Sequence, residues 1–393
     1  MNKPYKIYNS HVTIEQGALD QMDRAMSLPI SVQGALMPDA HTGYGLPIGG
    51  VWLTKNAIVP YAVGVDIGCS VRYTEMDAKY SDFSEKELEN ILQRETVFGV
   101  GGEMYASEHA LLQDLKSDEE LHYTVEKLLR ACEKDPFIGS MMKKLVTQMG
   151  TSGSGNHFVE FGTNSKGNLC FVSHSGSRGT GAAVCAHYTK IAKELHPELI
   201  GEEANLAWLP IDLGTLNKNH EGDAYFNSMY LMNVYALLNH RIIAHRIIRR
   251  LKKNIITAVA NSHNFAEGFF AEDGSSLILH RKGATPAHYG SYGYIPGTMR
   301  DPGYLVQGKG VQDSLNSCSH GAGRAMSRKK AKESFKSMDN CGVNLISAGR
   351  DEHPDAYKNI ADVMESQKDL ISIEETFTPR IVKMAPANEK AED

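Results

Sequence analysis

Short glycine-bracketed polar segments recur along nearly the whole of this chain, and they limit what it can fold into. They fill residues 31–75 and 150–182 and return across 255–310 and 317–324. Glycine lets a backbone turn sharply and come close to a ligand. The apolar runs between these segments, broken by Gly and Pro, read as strands and loops. Helical spacing appears at 83–94 and 117–133, where apolar residues recur among charges. The clearest helix runs from about Asp223 to Asn254, with Tyr225, Met229, Met232, Ala236 and His240 at intervals of three and four. Its basic end, Arg246, Arg249, Arg250, Lys252 and Lys253, suits a helix C-terminus; the alternative is a contact with an RNA backbone. A further helix is expected at 323–336, starting beside His320. No repeat, linker or change of composition divides the chain. The expectation is one intertwined α+β domain over residues 1–393 with a polar tail after about 385.

Composition excludes several classes. No apolar run reaches membrane-spanning length, and the start, Met1-Asn2-Lys3-Pro4-Tyr5-Lys6, lacks a signal-peptide core. A cytoplasmic protein with no membrane partner is expected. The formal net charge of −6 gives a nucleic-acid role no global support, although a local basic patch can still hold a polyanion. The 6 cysteines form no Cys-x-x-Cys pair, which argues against a disulfide framework or zinc ribbon. The 16 histidines direct attention to metal ligands.

Asp66-Ile67-Gly68-Cys69 places a carboxylate and a thiol three residues apart, so that a tight turn faces both to one point. Both are metal ligands, and a thiolate sulfur can bridge two ions. His157 follows the loop Gly150-Thr151-Ser152-Gly153-Ser154-Gly155, His174 lies in Ser173-His174-Ser175-Gly176, and His263 lies in Asn261-Ser262-His263-Asn264. Each stands among polar loop residues rather than apolar ones, which suits ligands supported by surrounding hydrogen bonds. Five ligands with one shared sulfur can hold two ions. Thiolate and imidazole favour zinc, whereas the carboxylate and open positions also admit manganese.

Ser317-Cys318-Ser319-His320-Gly321-Ala322-Gly323-Arg324 sets one imidazole before two glycines and an arginine, with Arg328, Lys329 and Lys330 close behind. Such a histidine is suited to contact phosphate or to attack phosphorus. A Lys-x-Asp-Gly motif and the P-loop pattern are both absent from the chain.

Taken together, these segments resemble the RtcB family of RNA ligases. Met37-Pro38-Asp39-Ala40-His41-Thr42-Gly43-Tyr44-Gly45, Gly64-Val65-Asp66-Ile67-Gly68-Cys69, Gly155-Asn156-His157-Phe158, Ser173 to Gly179, His263-Asn264 and Ser319 to Arg324 fall in the family's order. The resemblance implies packed β-sheets flanked by helices around a central cleft for two metals. It implies ligation of an RNA 3′-phosphate or 2′,3′-cyclic phosphate to a 5′-hydroxyl, with GTP as co-substrate and two manganese ions, zinc or another divalent ion being the alternative. One ion would be held by Asp66, Cys69 and His157, the other by Cys69, His174 and His263. His320 would carry GMP. Asn156, His157, Phe158, Val159, Glu160, His263, Asn264, Pro296, Gly297, Thr298, Met299, Gly321, Ala322, Gly323 and Lys383 match positions that contact the nucleotide. Arg178 and Arg324 match arginines that face RNA or phosphate. Asp39 and His41 are candidates for proton handling or RNA placement. The chain is expected to act as a monomer.

The match has departures. After Pro296-Gly297 the chain reads Thr298-Met299-Arg300-Asp301-Pro302-Gly303-Tyr304, and Gly303 stands where the family has a nucleotide-contacting serine. Two rival readings are a dinuclear hydrolase of cyclic phosphates or phosphodiesters, which needs no His320, and a non-catalytic RNA-binding relative, which needs no intact ligand set.

Overall fold

A computed structural model describes residues 3–214, 220–338 and 341–386. The fold is α+β. A five-stranded sheet has the order Tyr5–Ile7, Ser31–His41, Ile48–Lys55, Ser276–Lys282, Asn264–Phe270. A larger sheet runs Tyr292–Ile295, Gly303–Gly308, Ile371–Met384, Phe158–Asn164, Asn168–Ser175, Ser70–Lys79, Ile255–Ser262, with Asn344–Ser347 pairing in parallel beside Ile371–Met384. This sheet curls until its end strands meet, where the Tyr294 main-chain N–H donates to Asn261 Oδ1 at 2.9 Å. Val71, Tyr73, Cys170, Val172, Tyr294, Leu305 and Phe377 fill its interior.

Helix Glu221–Leu251 is the main brace. Tyr225, Met229, Met232, Ala236 and His240 are all buried, as their spacing requires. It packs against helices Glu119–Lys134 and Arg178–Leu195 in the largest apolar cluster. Its basic end is partly ion-paired and partly solvated: Arg246 pairs with Glu95 and Asp114 at 3.0 Å each and Arg250 meets Glu95 at 2.6 Å, while Lys252 and Lys253 are exposed. The helices at Glu85–Glu95 and Glu119–Lys134 start where side-chain oxygens of Ser84 and Asp118 accept from N–H groups three residues on.

The helix expected at 323–336 is only Arg328–Ser334. Gly323 has φ +72°, outside helical space, and the true cap is Ser327, which accepts from the Lys330 N–H. The polar tail expected after about 385 lies, from residue 387, outside the described residues. Among the described residues no helix is long and apolar enough to cross a membrane.

Candidate metal and nucleophile site

Strand register gathers the metal-ligand candidates. Ser70 pairs with Ser175 on one side and with Ser262 on the other. The residues just beyond, Cys69 and His263, therefore come to the same end of the sheet as His174. Phe158 pairs with His174, which brings in His157. The turn before Ser70 depends on glycine: Gly68 has φ +70°, and a side chain there would strike the backbone of Asn233. That turn is tied down by Gly68 N–H to the Asn264 carbonyl at 2.7 Å and Cys69 N–H to the Asp66 carbonyl at 3.1 Å. Gly176 is equally constrained, because a Cβ would overlap the Asp66 carboxylate.

Two groups of possible metal ligands result, Asp66–Cys69–His157 and Cys69–His174–His263, with Cys69 in both. Cys69 Sγ lies 3.4 Å from His157 Nε2 and 3.2 Å from His174 Nε2, and Asp66 Oδ2 lies 3.1 Å from His157 Nε2. His157 Nδ1–H donates to the Ser152 carbonyl at 2.9 Å and His174 Nδ1–H to the Asn156 carbonyl at 3.3 Å. Both Nε2 atoms are thereby left as lone pairs. Asp66 Oδ2 is buried without a hydrogen-bond partner. Carboxylate, imidazole and sulfur donor atoms converge here, so the donor set fits a divalent ion. Burial, then the neighbouring imidazoles, hold His174 and His263 well below the usual imidazole range, so both are neutral ligands at neutral pH. Burial opposes ionisation of Asp66, but His157, Arg178 and Cys69 outweigh it and keep the carboxyl low.

His320 stands beside the second group, its ring 4.9 Å from that of His263. Asp39 Oδ2 accepts from both His320 Nδ1–H at 2.6 Å and the His320 main-chain N–H at 3.0 Å. The free lone pair is therefore on Nε2. Asp39 lies in strand Ser31–His41 and is fully buried. Burial alone would raise its pKa; the His320 contacts and Lys358 reverse that and hold the carboxyl below its usual range. His41 Nδ1–H donates to the Asp39 carbonyl at 3.0 Å, and burial pushes its pKa down to about 4. Gly323 packs on Asp39 so closely that any Cβ would overlap the Asp39 carbonyl.

The other expected residues divide. Phe158 lies edge-on to His174 at 5.6 Å. Val159 is in the core. Gly321 faces Pro296, and Ala322 is buried beside it in sequence. Gly297 and Thr298 form a turn that Asp301 closes, its carboxylate 2.6 Å from Thr298 Oγ1. Met299 packs with Val382 and Met384. Glu160 is buried inside the curled sheet, and burial pushes its carboxyl up to about 8. Asn264 spends its side chain on structure, donating to the Asp66 carbonyl and accepting from Gly283 N–H.

Both arginines and Lys383 are held by groups of the protein itself. Arg178 is 3% exposed, has φ +59°, and turns back to Thr151 and the His157 ring. Arg324 binds the Met326 and Asp351 carbonyls and the Tyr357 hydroxyl, and its guanidinium lies 5.0 Å from the Tyr357 ring centre. The Lys383 ammonium donates to the carbonyls of Leu92, Gln93 and Thr96 at the end of helix Glu85–Glu95, and burial lowers its pKa to about 8.

Three contributors are not apparent from sequence patterns. Asn239 bonds Gly150 N–H, the Thr151 carbonyl and Ser175 Oγ, and so holds the loop before His157. His240 bonds Ser173 Oγ and the Ser70 and Ser175 carbonyls. Lys358 donates to the carbonyls on both sides of Asp39 at 3.0 and 2.7 Å. The Asn-His pair at buried positions of a helix is the one signal the sequence offers; Lys358 has none.

The family model described as tRNA-splicing ligase RtcB matches residues 21–384. The chain is 31% identical to the RNA-splicing ligase RtcB of Escherichia coli K12 over 401 residues, covering 95% of each chain. It is 30% identical to the tRNA-splicing ligase RtcB of Archaeoglobus fulgidus over 433 residues, covering 90% of this chain and 87% of that one.

Proposed function

The chain belongs to the RtcB family, and from that premise we propose that it is an RNA ligase of RNA repair or tRNA splicing. It joins an RNA 3′-phosphate or 2′,3′-cyclic phosphate end to a 5′-hydroxyl end through GMP carried on His320. The observation that carries this reading is the Asp39–His320 pair: a hydrolase using the two ligand groups has no need of a nucleophile oriented beside them.

Asp39 fixes the His320 tautomer, so Nε2 is the atom that attacks the α-phosphorus of GTP. An N–P bond forms, the bond to pyrophosphate breaks, and pyrophosphate leaves with the electron pair. An oxygen of the RNA 3′-phosphate then attacks that phosphorus, taking GMP and returning the lone pair to Nε2. A 2′,3′-cyclic end must first be opened by one water to the 3′-phosphate; attack by the RNA 5′-hydroxyl on the activated 3′-phosphate then forms the phosphodiester, releases the hydroxyl proton to solvent and expels GMP. Two manganese ions, held by Asp66, Cys69 and His157 and by Cys69, His174 and His263, would supply Lewis acidity at the phosphate oxygens. Zinc also suits this donor set. Glu160, a buried carboxyl whose upward shift burial alone causes, suits the N–H edge of the guanine.

The test is adduct formation with α-labelled GTP and manganese. The wild-type protein should acquire an acid-labile label; His320→Ala should acquire none. Asp39→Asn should slow labelling by about 100-fold or more, the scale of a lost proton-handling partner. A metal-loaded wild-type protein that takes no label would sink the ligase reading in favour of the hydrolase.

A further inference from the structure

We infer that the Tyr294 hydroxyl is a specificity-determining group of the nucleotide site, donating a hydrogen bond to an acceptor on the purine base. The inference rests on the nucleotide-binding reading above and extends it to a residue that reading does not include. Tyr294 is 1% exposed, and its hydroxyl is buried with no hydrogen-bond partner among the described residues. Buried phenols ordinarily find one. The ring cannot turn to look for another: it stacks on Tyr73 at 5.5 Å and lies edge-on to Phe377 at 6.2 Å.

The position of the ring ties it to the site from both sides. Its main-chain N–H is held by Asn261, two residues before His263. Its strand leads directly into Pro296, which faces Gly321, the neighbour of His320. Gly303 makes the arrangement possible. A Cβ at 303 would overlap the Tyr294 hydroxyl, so only glycine leaves the phenol in place. The Glu160 carboxyl belongs to the same interior; burial first, then its charge, raise the Tyr294 pKa well above the phenol range, so the hydroxyl remains a donor. Glu160 has no hydrogen-bond or charge partner behind its own shift. A carboxyl oxygen that accepts and a phenol that donates complement the guanine edge, where N1–H and N2–H donate and O6 accepts; adenine has neither N1–H nor O6.

Tyr294→Phe removes the oxygen and keeps the ring. The expected result is a three- to tenfold weaker Kd for GTP by calorimetry, about one hydrogen bond's worth, with a smaller effect on ATP. The GTP-to-ATP preference therefore falls. Manganese stoichiometry and the melting temperature without nucleotide should stay at wild-type values, which a merely structural role for the hydroxyl would not allow. An unchanged Kd and unchanged preference in a variant of a GTP-binding wild type would overturn the inference alone. A wild type that binds no GTP would overturn it together with the proposed function.

Discussion

Cys69 is the residue on which both ligand groups converge, within 3.4 Å of His157 and 3.2 Å of His174. Removing its sulfur should therefore cost two ions rather than one. Cys69→Ala is expected to bring bound manganese from about two per chain to below one, measured by elemental analysis after gel filtration. His157→Ala, which belongs to one group only, should retain about one. Equal retention by both variants would refute a shared ligand. At this scale the polar contexts of Asp66, Cys69, His157, His174 and His263 make them legible in the sequence, and the fold brings all five together. Arg178 is less legible because its φ of +59° turns the side chain inward, a backbone state that residue type alone does not announce.

The helix Glu221–Leu251 shows how one element organises a site that it does not enter. Its periodic apolar face is plain in the sequence. The polar pair Asn239-His240 at buried positions is harder to read, because the groups it satisfies lie 64 to 170 residues away. The same distance hides the ion pairs of Arg246 and Arg250 with Glu95. Asn239→Ala strands Gly150 N–H in the interior and leaves the Thr151 carbonyl with Ser175 Oγ as its remaining side-chain donor. One stranded buried group costs about 1–3 kcal/mol, and a loss on that scale is expected in urea unfolding. Loosening of the loop before His157 should weaken manganese binding at the same time. A destabilised variant with wild-type metal affinity would show that the brace does not reach the site.

Across the whole molecule, buried imidazoles set the response to acid. Burial is the first cause that holds His280 near 4 and His240 near 3, and His174 and His263 lie well below the ordinary imidazole value of 6.5. Below pH 6.5 the unfolded chain takes up protons that the folded chain refuses, so stability falls as pH falls. Each such histidine contributes about 1.4 kcal/mol per pH unit over its window. Glu160 has the opposite sign, since its raised value near 8 gives stability that is complete below 4.5 and lost as pH rises through 8. With His41, which burial also holds near 4, five histidines outweigh one carboxyl on the acid side. The urea midpoint of metal-free protein should therefore drop steadily from about pH 7 to about pH 5, and a flat profile would contradict these protonation states. The α+β class is readable from short strands among helices, but the order of the strands is not, because pairing across hundreds of residues leaves no local trace.

That order has a consequence in time. The last strand among the described residues, Ile371–Met384, is not at the margin of its sheet: it lies between Gly303–Gly308 and Phe158–Asn164. A ribosome therefore releases the candidate metal ligands first, the proposed nucleophile at 320 later, and the strand that joins the two halves of the sheet after both. A nascent chain halted anywhere before residue 371 has this gap at the centre of its sheet, so a message cut short there yields a product that cannot assemble the site, and translation through this strand is a precondition of the chemistry.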